Sequence, residues 1–315
     1  MNADAAHCRL RMAHPLDRPF THAEARQWGI TSRELSHLVR RGELIQPFRG
    51  VYHADRVEDD LALRIGCLLL VMPADAVITD RTAAWLHGAT MVLAPGAHLD
   101  VPRVSLYRQP GYRLRNKLVK SGERTFASHD LMSVGGIRVT TPLRTACDLG
   151  RLLHRDQAFA AMDALMRVGG FSNLRLQIEL ERFKGARGVR QARSLAPLAD
   201  PRAESQPESI LRLRWLDLTT LPRPVPQLEV VRRGGRGSFW LDLAEPDLRY
   251  AAEYDGVQWH EDERQKQKDR ARRREICDEH GFIIDVLGAS DLFGPHANPW
   301  GILQDGIARA ERRRR

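Results

Sequence analysis

The chain has 315 residues, 43% of them hydrophobic, which is enough apolar material for two or three folded domains. Lysine and arginine outnumber aspartate and glutamate by 49 to 40, and the formal net charge of +9 favours a polyanionic partner, nucleic acid before a membrane surface. The four cysteines are far apart and form no C-x-x-C pair, which argues against a disulfide framework or a zinc ribbon, and no apolar run is long enough to span a bilayer, so we expect a cytoplasmic protein.

Residues 15–56 have the pattern of a winged helix-turn-helix, with two short helices followed by a two-stranded hairpin. Thr21 and Glu24 have the spacing of a capping box at the start of the first helix, and Thr31 or Ser32 caps the second. We expect the second helix to enter a DNA major groove; the alternatives are a small helical domain with an ordinary basic face and a winged helix that binds protein. The side chains predicted to contact DNA are Arg33, Arg40, Arg41 and Arg49.

Residues 57–198 alternate helical patterns with short strand patterns and predict an α+β region, to which we assign no catalytic role. Within it, Arg144 and Asp148 have the i, i+4 spacing of an ion pair on one helix face. The composition then shifts to Arg, Gly, Pro and Ser over residues 182–209, which indicates a junction and a domain boundary near residue 199.

Residues 199–295 predict a further domain with the element order helix, three strands, helix and strand, or αβββαβ. Residues 296–315 end in a run of arginines and are predicted to form a basic tail. No amphipathic apolar face accompanies this tail, so we discount binding to a membrane surface.

The pattern of the predicted strands places several acidic residues close together. Glu253 and Asp255 share one face of the third strand, and the short turn before it lets Asp242 of the preceding strand lie beside Glu253. Glu208, or Glu204 four residues earlier, could reach the same point from the first helix. Carboxylates that share a site repel one another, so either a hard divalent cation such as magnesium or neighbouring basic side chains must neutralise them.

The helix predicted over residues 263–281 is strongly basic. Its cationic side chains are Arg264, Lys266, Lys268, Arg270, Arg272, Arg273 and Arg274. A basic run beside a metal site suits a phosphodiester backbone. The alternatives are a solvated basic face and a set of ion pairs with Glu253 and Asp255.

Two parts of the chain resemble known families. In the C-terminal part the stretches are AESQPESILRLRW, FWLDLAEPDLRYAAEYDGVQWH and KDRARRREICDEHGFIIDVL, and they are similar to the DUF559 family, in the very-short-patch-repair-like branch of the PD-(D/E)XK nuclease superfamily. The shared pattern is a helix Glu-Ser, a strand Asp, E-x-D-G-x-x-x-H and a D-R pair, and it covers roughly residues 200–295. In the N-terminal part the stretches are ITSRELSHLVRRGELIQPFRGVYH, TAAWLHGA and TTPLRTACDL, and they are similar to AbiEi-type antitoxins of abortive-infection systems.

The DUF559 resemblance implies a restriction-endonuclease-like domain that hydrolyses phosphodiester bonds through a magnesium- or manganese-activated water. It makes Asp242 and Glu253 metal ligands and Glu208 the helix acid, with Glu204 as its rival. His260 matches a histidine that is associated with catalysis in the repair-enzyme branch. The full set of catalytic candidates is Asp242, Glu253, Asp255, His260 and Glu208, and the candidate nucleic-acid contacts on the basic helix are Lys268, Arg270 and Arg273.

One departure from the superfamily pattern keeps a second hypothesis open. Asp255 stands where the superfamily usually has lysine, and a carboxylate cannot take over the lysine's role directly. The chain could therefore be a transcriptional regulator or antitoxin that uses an inactive nuclease fold for binding only. The AbiEi resemblance implies DNA as a partner, together with a toxin–antitoxin or defence partner. The joint presence of Asp242, Glu253 and His260 favours the active nuclease.

Overall fold

The computed structural model describes residues 17–89, 103–108, 119–235, 237–256 and 263–314, together with residues 6, 8 and 10. For residues 263–266 the backbone alone is described. The contacts within the chain divide it into two compact units, Met1–Leu149 and Gly150–Arg315. Among the described residues, no helix combines the length and the apolar character that crossing a membrane requires.

The N-terminal unit begins with the layout of a winged helix-turn-helix. Its elements are β1 (Phe20–Thr21), α1 (His22–Gln27), α2 (Ser32–Arg40), β2 (Leu44–Phe48) and β3 (Val51–Ala54). The three strands form a sheet in the order β1-β3-β2, in which β2 and β3 are the hairpin of the wing. Leu35 and Leu38 bury one face of α2 in a small apolar core, so the other face of this helix is left to solvent.

Both helices of this motif begin with a capping box, as the sequence predicts for the first. The Thr21 hydroxyl accepts the Glu24 N–H at 3.1 Å, and the Glu24 carboxylate accepts the Thr21 N–H at 2.7 Å. Thr31 caps the second helix in the same way, with Glu34 as its partner. Ser32 bonds instead to the ring of His22 at 2.8 Å, which ties the start of α2 to α1.

The rest of the N-terminal unit is a mixed α+β region, as predicted. Its elements are α3 (Leu61–Leu69), β4 (Val77–Ile78), α4 (Asp80–Leu86), β5 (Val104–Arg108), β6 (Val119–Glu123), a 3₁₀ turn (Ser128–Asp130), β7 (Leu131–Val134), β8 (Ile137–Thr140) and α5 (Pro142–Leu152), which runs across the unit boundary. The strands form a five-stranded sheet in the order β6-β5-β4-β8-β7. Ile78, Leu106 and Val139 are fully buried at its centre.

The predicted ion pair between Arg144 and Asp148 is present, with a distance of 2.9 Å, but it belongs to a larger buried network. Arg144 also contacts Asp130 at 2.6 Å, and Arg124 lies 2.8 Å from both Asp148 and Asp80. Charges removed from water are tolerated only when they are paired and hydrogen-bonded, so this network ties α5 to the first turn of α4, to the segment after β6 and to the 3₁₀ turn before β7.

The C-terminal unit has the predicted order αβββαβ within a longer series of elements. They are α6 (Arg155–Gly169), α7 (Asn173–Leu180), a 3₁₀ turn (Glu181–Phe183), α8 (Val189–Leu195), a 3₁₀ turn (Ala196–Leu198), α9 (Gln206–Asp217), β9 (Val225–Val231), β10 (Ser238–Glu245), β11 (Tyr250–Tyr254), α10 (Glu263–His280), β12 (Ile283–Leu287), α11 (Ala289–Leu292) and α12 (Pro299–Arg314). The sheet order is β12-β11-β10-β9, antiparallel except for the parallel pair β11 and β12.

Where the sequence predicts a basic tail, at residues 296–315, the structure has the helix α12. Leu303, Ile307 and Ala310 on this helix are buried in the core between the sheet and α9. The arginines of its last turn are exposed. An apolar repeat at i, i+4 and i+7 is the pattern of a helix that packs on a core, and it outweighs the charged residues that lie between.

The two compact units divide at Leu149 and Gly150, within the predicted middle region, because α6 packs against α9 in the C-terminal unit. The domain boundary near residue 199 stays a prediction. A buried ion pair joins these two helices, with 2.6 Å between the Arg212 guanidinium and the Asp163 carboxylate. Asp163 also accepts the N–H of Asp200 at 2.8 Å, so the predicted junction is held between the two helices.

We expect Arg212→Met to lower the free energy of unfolding by about 3–5 kcal/mol, because it leaves the fully buried Asp163 without its positively charged partner. Arg155→Met is the matched control. It breaks the ion pair between Arg155 and Asp217, which joins the same two helices at the surface, and it should cost about 1 kcal/mol or less. Urea denaturation of both variants measures the difference, and equal losses would show that the buried pair does not join the helices.

Candidate functional site

Glu208 reaches the centre of the C-terminal unit from the first turn of α9. The Ser205 hydroxyl caps this helix by accepting the Glu208 N–H at 3.2 Å. Glu208 is only 9% exposed, and its Oε2 atom accepts hydrogen bonds from the Glu204 N–H at 2.9 Å and the Gln227 amide at 3.0 Å. Glu204 itself is exposed, so Glu208 is the helix acid that faces the sheet.

Asp242 lies on the central strand β10, and its Oδ2 atom accepts the Tyr254 N–H at 2.9 Å. Burial raises the pKa of Asp242 to about 7, and the negative charges of Glu208 and Glu253 act in the same direction. The hydrogen bond from Tyr254 and the positive charge of Arg272 oppose them only in part. The three carboxylates therefore interact electrostatically, and their predicted role as metal ligands stays a prediction.

Glu253 is buried on β11, with 2% of its surface exposed, and two arginines of α10 bind it. The guanidinium of Arg272 donates to both carboxylate oxygens, at 2.7 and 2.8 Å. The Nε atom of Arg273 donates to the second oxygen at 2.8 Å. Both oxygens of Glu253 therefore accept charge-assisted hydrogen bonds, which are stronger than bonds between neutral groups.

Asp255 is two residues after Glu253, directly beyond the end of β11, and it binds one of the same arginines. The Nη2 atom of Arg273 contacts its Oδ2 at 3.1 Å, and the carboxylate is partly exposed. The sequence leaves two ways to neutralise Glu253 and Asp255, a metal cation or basic side chains. In the described residues, the basic side chains of Arg272 and Arg273 pair with them. His260 lies outside the described residues, so its predicted role stays a prediction.

The three carboxylates offer oxygen ligands, but their arrangement does not fit a magnesium ion. Within the described residues, Glu208, Asp242 and Glu253 do not bring three carboxylate oxygens within 4.8 Å of one another. A cation at Glu253 would also have to displace two guanidinium groups. Magnesium needs near-octahedral oxygen geometry at short distances, which this arrangement does not supply.

Two residues that shape the site were not singled out from the sequence. Arg272 is one of the seven basic residues at positions 264–274. Which of these residues face β11 depends on the rotation of α10 about its axis. Gln227 has a left-handed backbone with a φ of +49°, which is unusual for a residue with a side chain, and its amide reaches Glu208. No local sequence pattern announces this irregularity in the edge strand β9.

The candidate nucleic-acid contacts fall into two groups. Arg33 and Arg40 on α2 and Arg49 at the wing tip are exposed, and Arg41 is exposed but paired with Glu43 at 2.6 Å. On α10, Lys268 and Arg270 are exposed, whereas Arg273 is held by the acids of β11. The exposed basic face of α2 is the side of the helix opposite Leu35 and Leu38.

Two family models match the chain. Residues 16–53 match the family described as "Transcriptional regulator, AbiEi antitoxin", and residues 74–198 match the "AbiEi antitoxin C-terminal domain". Two proteins of Mycobacterium tuberculosis, from strains CDC 1551 / Oshkosh and H37Rv, are each 33% identical to this chain over 264 residues. The aligned part covers 84% of this chain and 92% of each relative, and both relatives are called uncharacterized. The two matched regions end before the sheet that carries Asp242 and Glu253.

We expect Asp242→Asn to change how stability depends on pH. A carboxyl whose pKa rises from its ordinary value near 4 to about 7 on folding binds its proton more tightly in the folded state. Its contribution is therefore complete below pH 4 and is lost as the pH rises to 7, by up to about 1.4 kcal/mol per pH unit. Relative to the wild type, the Asn variant should become more stable across this window.

The measurement is the free energy of unfolding of both proteins by urea between pH 4 and pH 8. Glu204→Gln is the control, because Glu204 is exposed and its loss should leave the pH dependence unchanged. If the difference between Asp242→Asn and wild type stays constant with pH, the carboxylates do not share a buried site.

Proposed function

The chain belongs to the family of these mycobacterial proteins, and we propose that it is a DNA-binding transcriptional regulator of the antitoxin type. The proposal is supported by the match of residues 16–53 and 74–198 to AbiEi antitoxin regions. The observation that carries the proposal is the exposed basic face of α2, in the region that matches the regulator family. In a winged helix-turn-helix the second helix lies in the major groove, and basic residues on it and on the wing neutralise phosphates.

The local geometry of the winged helix supports this role. The buried Leu35 and Leu38 fix the rotation of α2, and the capping box at Thr31 fixes its first turn. Arg33 and Arg40 are therefore presented on a rigid helix, and Arg49 extends from the turn between β2 and β3. A preorganised basic face loses less conformational entropy on binding than a flexible one.

The C-terminal sheet has a binding role in this proposal rather than a catalytic one. Arg272 and Arg273 saturate Glu253, which removes it from the ligands that a metal could use. The exposed Lys268 and Arg270 on α10 remain for contacts with a phosphate backbone. A protein partner of the toxin–antitoxin or defence kind belongs to the same proposal, on the strength of the AbiEi match alone.

A second candidate is the metal-dependent nuclease that the DUF559 resemblance implies, with magnesium or manganese as its cofactor. The specific observation in its favour is the raised pKa of Asp242, which results from burial and from the charges of Glu208 and Glu253. Titratable groups with perturbed pKa values are enriched at functional sites. Against it stands the pairing of Glu253, which an active site would have to open.

The regulator proposal predicts that Arg33→Ala/Arg40→Ala weakens binding to a duplex DNA oligonucleotide. Each lost phosphate contact removes about 0.9 from the slope of log affinity against log salt concentration, so the slope should fall by about 1.8. Fluorescence anisotropy over a range of salt concentrations measures it. The matched control is Arg190→Ala/Arg223→Ala, which removes the same charge from exposed positions of the C-terminal unit. An unchanged slope in the first variant would leave the winged helix as a protein-binding module.

The two candidate functions separate in a metal experiment. If the chain is a regulator, Mg²⁺ and Mn²⁺ should produce no cleavage of duplex, nicked or single-stranded DNA or of RNA, and should leave the melting temperature unchanged. If it is a nuclease, cleavage should require the metal, disappear with EDTA and fall by orders of magnitude in Asp242→Asn. The metal should then also raise the melting temperature of the wild type more than that of the variant, because a ligand of the folded state stabilises it by mass action.

A further inference from the structure

A surface cavity of about 290 Å³ lies at the start of β11, away from the carboxylates. Arg249, Arg313 and Arg314 line it, and Asp247 is the acid among its lining residues. Arg249 and Glu253 are four residues apart on one extended segment, which corresponds to roughly 13 Å along the strand. The cavity is therefore separate from the site at Glu253.

Two of these guanidinium groups converge on one glycine. Gly281, between α10 and β12, has a φ of +71°, and a Cβ atom at this position would lie 3.0 Å from Nη1 of Arg249 and 4.0 Å from Nη2 of Arg313. Nη1 of Arg313 also donates to the Gly281 carbonyl oxygen at 3.3 Å. The absence of a side chain at Gly281 therefore gives both guanidinium groups room at the same place.

The local charge is not balanced by ion pairs. Neither Arg249 nor Arg313 forms an ion pair with the residues that the structure describes, whereas many arginines of this unit do. Like charges brought close together repel, so the convergence costs free energy unless an anion binds between them. Arg249 also has a left-handed backbone, with a φ of +53°, which few side-chain-bearing residues adopt without a local reason.

We propose that this cavity binds a phosphate group of a nucleic-acid strand. The planar guanidinium fork matches phosphate oxygens with two parallel hydrogen bonds, and three such groups around one cavity suit a group with several oxygens. A second concavity of about 380 Å³ shares Arg249 and adds Arg233, so a polymer can continue past the first phosphate. Its lining also holds Glu229 and Glu279, which makes the first cavity the stronger anion site.

The proposal does not rest on the regulator role or on the nuclease role. It assigns to the C-terminal unit a phosphate contact that is independent of α2 and of the carboxylates. Together with the winged-helix contact of the proposed function, it would give the chain two contacts with nucleic acid, and linking two contacts raises the overall affinity.

The test compares Arg249→Gln/Arg313→Gln with the control Arg190→Gln/Arg223→Gln in the full chain. Both pairs of substitutions are made in the wild type and in the Arg33→Ala/Arg40→Ala variant. The effect of the cavity can then be measured even if the winged helix does not bind DNA. The probe is a duplex oligonucleotide without terminal phosphates. The cavity variant should lower the salt slope by about one to two and weaken binding several-fold, whereas the control should change neither.

Equal behaviour of the two variants, or no duplex binding by any protein, would overturn the proposal. Inorganic phosphate serves as a second probe, and its binding is measured as a rise in the melting temperature of the protein. If it stabilises the wild type but not the cavity variant while the duplex slope is unchanged, the cavity binds small phosphate compounds and the nucleic-acid proposal is wrong. Arg249→Gln/Arg314→Gln replaces the first variant if the loss of the bond from Arg313 to Gly281 destabilises the fold.

Discussion

The pairing of Glu253 with Arg272 and Arg273 is the interaction on which the C-terminal unit depends. A carboxylate that is 2% exposed has lost its hydration, and only hydrogen-bonded cations make such burial tolerable. The two arginines are neighbours on α10, so their two salt bridges to Glu253 set both the position and the rotation of that helix over the sheet. Arg272 also donates to the Trp240 carbonyl at 3.0 Å, which extends the same contact to β10. Asp255 then accepts a hydrogen bond from the Nη2 atom of Arg273.

Asp242 and Glu208 are also buried carboxylates, but other groups compensate for the loss of their hydration. Asp242 accepts the Tyr254 N–H, and burial beside two other acids raises its pKa to about 7. Glu208 is held by neutral donors, the Gln227 amide and the Glu204 N–H. The three acids therefore have different compensating partners. Of these, the pairing of Glu253 with two arginines favours the regulator over the nuclease.

The features that the sequence predicted well are those set by local spacing. The capping box of Thr21 and Glu24 and the i, i+4 pair of Arg144 and Asp148 follow from helix geometry alone. The approach of Asp242 to Glu253 follows from strand alternation and one short turn. Which of seven basic residues meets Glu253 could not be predicted, because it depends on packing between α10 and the sheet. The burial of α12 could not be predicted from composition, because charged residues lie between the positions of its apolar repeat.

The pair of Asp163 and Arg212 bears on how such a protein could be assembled in evolution. Asp163 lies inside the region that matches the AbiEi antitoxin C-terminal domain, and Arg212 lies beyond the end of that region. A break in the chain at residue 198 would separate this buried carboxylate from its guanidinium group. The part that matches the AbiEi domain and the sheet of residues 225–287 are therefore joined by a charge pair as well as by the chain. A replacement for the sheet would have to supply a cation at the place of Arg212.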